Sequence, residues 1–194
     1  KFAVAAGSGT DELVVAASGD LDADTEGARY TGFEKLTIGD WDQDTSRVAG
    51  ITALKVTGTS TDITLSNVSA AAAGDITVDT TNTTALTVSL KNATGSSDAV
   101  TIDLKSATST TNVDLVALKI AGVETLNVKG TTGTSGTDSA ITLGSSGADK
   151  LKAVNLSGTA DMKFDADNSA KKITLVSSST GDISVEGDFI KGSS

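Results

Sequence analysis

A short phrase of alternating character recurs along this chain: an apolar β-former, one polar residue, a second apolar β-former, then a turn rich in Gly, Ser, Thr or Asp. It stands as Leu36-Thr37-Ile38, Leu54-Lys55-Val56, Ile63-Thr64-Leu65, Ile76-Thr77-Val78, Leu86-Thr87-Val88, Ile102-Asp103-Leu104, Leu126-Asn127-Val128, Ile141-Thr142-Leu143, Val154-Asn155-Leu156, Ile173-Thr174-Leu175 and Ile183-Ser184-Val185. In an extended strand, successive side chains point to opposite faces, so each phrase sends two side chains inward and one outward. Recurrence at intervals of 9 to 24 residues predicts short strands stacked on one another, whose inward pairs share one long, narrow core.

The reading is therefore all-β, a parallel β-helix or β-solenoid, with tandem Ig-like β-sandwiches as the alternative. A sandwich favours longer strands and an aromatic-centred core. Here aromatics are only 3% of residues, so the core must be built from Val, Ile, Leu and Ala. Helical periodicity is nearly absent. Ser69 to Gly74, with four Ala, is too short for a stable helix and reads as a loop or one helical turn. No composition break interrupts the strand phrases from Leu13 to Val185, so residues 1–194 read as one continuous body, beginning without Met and so resembling an internal segment of something longer.

Charge narrows the partners. Twenty-five acidic against 15 basic residues give a formal net of −10, which argues against a phosphate backbone as ligand and favours cations. With no Cys and no His, thiolate-ligated zinc, disulfides and His-based triads are excluded within the chain. No apolar run reaches the roughly 18 residues that membrane insertion by a helix requires. The many Ser residues have no histidine partner and read as turn residues.

A larger repeat lies above the phrases. Gly32-Phe33-Glu34-Lys35-Leu36-Thr37-Ile38 matches Gly122-Val123-Glu124-Thr125-Leu126-Asn127-Val128 in character, and Ala53-Leu54-Lys55-Val56-Thr57-Gly58-Thr59 matches Ala153-Val154-Asn155-Leu156-Ser157-Gly158-Thr159. Two diverged copies of one unit account for both matches. The second copy's Gly-hydrophobic-Glu-Thr-Leu-Asn-Val phrase, the stretch Asn92-Ala93-Thr94-Gly95-Ser96-Ser97-Asp98, and Ser169-Ala170-Lys171-Lys172-Ile173 together resemble the calcium-dependent surface-layer (S-layer) proteins that Gram-negative bacteria export by type I secretion. The resemblance covers most of residues 7–180. It implies a long β-helical body, calcium between rungs or protomers, and assembly into a two-dimensional coat on the exterior of a bacterial cell, with any anchoring to cell-surface polysaccharide lying outside this chain.

Three acidic stretches within residues 1–48 are candidate calcium sites, an entry region to the column. Gly7-Ser8-Gly9-Thr10-Asp11-Glu12-Leu13 fits the later part of the glycine- and aspartate-rich repeat of RTX proteins, where tight turns let carbonyls and the Asp carboxylate face an ion. Asp11 is its candidate ligand, although Ala6 replaces the first glycine, and a plain turn before a strand explains the stretch equally well. Asp20, Asp22 and Asp24, and then Asp40, Asp42 and Asp44, place carboxylates at alternate positions, where mutual repulsion would be relieved by a hard cation. Solvated acidic turns are the competing explanation. Asp165-Ala166-Asp167-Asn168 reads as a plain turn.

Function follows as expectation. The chain is read as a non-enzymatic structural component of a bacterial surface layer, associating with itself and stabilised by Ca²⁺, with an adhesin stalk or carbohydrate-binding module as the alternative. A polysaccharide-cleaving site would need paired carboxylates across a groove with aromatic platforms. Trp41, Tyr30, Arg29 and Arg47 fall near the Asp triplets but also suit a plug where the stack's regularity breaks.

Overall fold

The computed structural model describes residues 3–21, 24–58, 60–108, 111–132, 138–144, 147–166 and 173–186. Two short strands, β1 (Val4–Ala5) and β3 (Tyr30–Thr31), pair with each other near the start of the chain. The other strands alternate between two sheets. The first sheet takes β2 (Glu12–Val14), β4 (Lys35–Ile38), β6 (Ala53–Val56), β8 (Ile76–Val78), β10 (Ala99–Leu104), β12 (Thr125–Gly130), β14 (Ala153–Gly158) and β16 (Thr174–Ser177) in that spatial order. The second takes β5 (Gln43–Asp44), β7 (Ile63–Val68), β9 (Asn82–Leu90), β11 (Leu115–Lys119), β13 (Ser139–Leu143), β15 (Met162–Asp165) and β17 (Ile183–Glu186). Every pairing among the described residues is parallel, and each turn of the chain adds one strand to each sheet. The molecule is a β-solenoid of about seven turns.

Strict parallel register explains why the phrase recurs. Leu36, Leu54, Ile76, Ile102, Val128 and Leu156 lie opposite one another in successive strands, each at most 1% exposed. Burying one such side chain contributes about 1.5–3 kcal/mol, and no turn could hold its pair without the turns above and below. The ladder beside it runs Ile38, Val56, Val78, Leu104 and then Gly130 and Gly158. Met162 fills the room left at Gly130: a Cβ there would lie 2.7 Å from the Met162 Sδ. Phe164, on the facing sheet, is fully buried and opposite Ile141. Where aliphatic residues thin out, two larger side chains keep the interior filled.

The outer faces are tied turn to turn by polar side chains. Asn155 Nδ2 donates to Asn127 Oδ1 at 2.8 Å, and Asn127 Nδ2 to Thr101 Oγ1 at 3.3 Å. Lys55 Nζ meets Asp79 Oδ2 at 2.7 Å and Lys129 Nζ meets Asp103 Oδ2 at 3.6 Å. In the first sheet the turns differ in length, from 18 residues between Glu34 and Thr52 to 28 between Asn127 and Asn155, yet its ladders stay in register.

The helical content is small. Helix α1 (Asp24–Gly27) is a single turn near the chain's start, and α2 (Ala70–Ala73) is the expected alanine turn. Ser69 caps α2, its Oγ accepting the Ala72 N–H at 3.2 Å, while Ala72 and Ala73 are buried. No described helix is long and apolar enough to cross a membrane.

The larger repeat has a structural counterpart. β4 and β12 are four steps apart in the first sheet, and so are β6 and β14, which sets both matched phrases four turns apart with the same two-residue offset along the ladder. Gly32 and Gly122 open the two copies with φ of 75° and 78°, a left-handed turn that side-chain-bearing residues avoid. The residue two places on, Glu34 or Glu124, then enters the strand.

Candidate functional site

The acidic residues singled out in the sequence occupy the corners of the solenoid, and the backbone explains most of their positions. A chain that turns twice per coil leaves N–H groups at each corner outside the regular ladders, and such groups need acceptors. Ahead of the second sheet, Asp42 Oδ1 accepts the Thr64 N–H at 2.6 Å, Asp62 Oδ1 that of Ala85 at 3.0 Å, Asp114 Oδ1 that of Ala140 at 2.9 Å, and Asp161 Oδ1 that of Asp182 at 2.9 Å. Each bond reaches from one turn to the next.

Asp40 and Asp44 act similarly. Asp40 Oδ1 accepts the Ser60 N–H at 2.8 Å. Asp44 caps the 3₁₀ turn Thr45–Arg47, taking the Ser46 N–H at 3.0 Å and the Ser46 hydroxyl at 2.7 Å, while its other oxygen takes Asn67 Nδ2 at 2.9 Å. Burial pushes the Asp44 carboxyl up, but the Ser46 and Asn67 hydrogen bonds, with the Arg47 charge nearby, outweigh it and hold the group below the ordinary aspartate range. Asp20 Oδ2 accepts the N–H groups of Ala16 and Ala17 at 3.1 and 3.0 Å. Asp22 lies outside the described residues, as does the side chain of Asp24.

Asp11 differs. Its N–H is held by Glu34 Oε2 at 2.9 Å and its carbonyl accepts the N–H groups of Glu34 and Lys35, yet its Oδ2 is buried with no hydrogen-bond partner. The equivalent residue of the second copy, Asp98, has its N–H held by Glu124 Oε2 at 2.9 Å and places its Oδ2 against the Gly95 N–H at 3.0 Å. A buried carboxylate oxygen without a donor suits a cation, so of the candidate residues Asp11 fits a calcium ligand best. Among the described residues, no three acidic side chains converge on one point.

Asp42 and Asp44 do share a setting. With Gln43, Arg47, Thr64 and Ser66 they line an open, polar groove of about 390 Å³ on the second sheet's side. Arg47 also donates to the Leu21 carbonyl, tying the groove to the turn at Leu21. The aromatic residues expected nearby do not line it. Tyr30 and Phe33 meet edge-to-face at 6.3 Å with the Arg29 guanidinium 5.9 Å from the Tyr30 ring centre, and all three aromatics, Trp41 included, pack against the core.

Glu34 and Glu124 are residues whose role the sequence reading missed. Each sends its carboxylate to the backbone of the previous turn, and Glu124 is 4% exposed. The signal was the repeated Gly-hydrophobic-Glu phrase, while the donors lie 23 and 26 residues earlier, one turn back.

No protein-family model, curated protein or solved structure matches the chain.

Proposed function

We propose that the chain is a structural segment of a bacterial surface layer, self-associating on the cell exterior and stabilised by calcium. The observation that supports this most is the unbroken apolar ladder from Leu36 to Leu156, flanked by faces tied turn to turn through side chains. Such a column is stiff along its axis and offers flat sides for packing. With a net charge of −10, neighbouring columns repel, so bridging cations favour their association. Within one copy, Asp11 with Glu34 alongside is the place where a calcium ion offsets a buried, unpartnered oxygen. Calcium supplies charge neutralisation there and no reaction.

Electron microscopy of the purified chain with and without Ca²⁺ tests the proposal. Ordered sheets or rows that form with calcium and dissolve on chelation are expected, whereas dispersed single particles under both conditions overturn it.

One feature favours a second reading, a carbohydrate-binding module: the polar groove of Asp42, Asp44, Arg47, Thr64 and Ser66 matches the hydroxyl-rich surface of a sugar. A glycan array decides it, and retention of binding by Asp42→Asn with Asp44→Asn would remove the groove from consideration.

A further inference from the structure

We draw no further inference here: the strongest candidate, the end of the described solenoid at β16 and β17, where Leu175, Ile183 and Val185 are only partly buried, carries nothing because nothing in the structure shows what covers it.

Discussion

Glu124 holds the backbone N–H of Asp98 at 2.9 Å across one turn of the solenoid, and Glu34 holds that of Asp11 at the same distance. Removing the acceptor at the buried corner strands a donor, which costs about 1–3 kcal/mol. Glu124→Ala is therefore expected to lower the denaturation midpoint clearly, Glu124→Gln less, and Glu34→Ala less again because Glu34 is only half-buried. Equal losses at the two glutamates would contradict this account.

The glycine two residues earlier is also constrained. Gly122 has φ 78°, and a Cβ there would come within 2.9 Å of the Ala93 Cβ. Gly122→Ala is expected to destabilise by about 1 kcal/mol or more, while Gly7→Ala, whose new methyl meets nothing within 4 Å, leaves the midpoint unchanged. Urea unfolding of both variants makes the comparison.

Core truncation has a graded outcome. Leu126 and Phe164 are fully buried on facing sheets. Leu126→Ala is expected to cost about 2–5 kcal/mol and Phe164→Ala about 3–5 kcal/mol, whereas Val14→Thr, at a residue 60% exposed, stays within about 0.5 kcal/mol of the parent. Circular dichroism melts separate these classes.

Acid weakens the fold through identifiable groups. The Thr37 hydroxyl, with Lys35 and Lys55 nearby, holds Glu12 below its ordinary value of 4.5 against the opposing effect of burial, and Asp44 sits below 3.8. Because the folded values are the lower ones, the stabilisation is complete above the ordinary values and is lost as pH falls through the folded ones. The melting midpoint should drop on acidification below about pH 4, and Glu12→Gln with Asp44→Asn should flatten that drop. Glu12 is well exposed, so its share is small and shrinks with added salt.

If the proposed calcium site is right, calcium should separate Asp11 from the other corner aspartates. A hundredfold excess of Ca²⁺ over its dissociation constant raises stability by about 2.7 kcal/mol. Asp11→Asn is expected to abolish that rise, while Asp42→Asn lowers the starting midpoint and keeps it. A midpoint in the parent that ignores both calcium and chelator eliminates the metal from the proposal.

Strands were the legible part of this chain because side-chain alternation is a local property. Ten of the phrases, such as Leu126-Asn127-Val128, lie wholly inside strands, and Ile173-Thr174-Leu175 misses only its first residue. β11 carried no such phrase, since a register irregularity between Leu115 and Leu118 breaks its alternation. Corners were harder to read. Apart from Ser46, which Asp44 caps within its own turn, the donors that Asp40, Asp42 and Asp44 satisfy come from residues 60 to 67, one turn later, and sequence spacing cannot show which carboxylates face the backbone until the turn length is known.

Unequal loop lengths around constant ladders make the solenoid a ruler. Strands are spaced about 4.8 Å apart, so gaining or losing a turn changes the reach of the molecule by a fixed step without disturbing the side chains elsewhere. Copying four turns at once, as the matched pairs β4 with β12 and β6 with β14 imply, lengthens it by roughly 19 Å on that spacing.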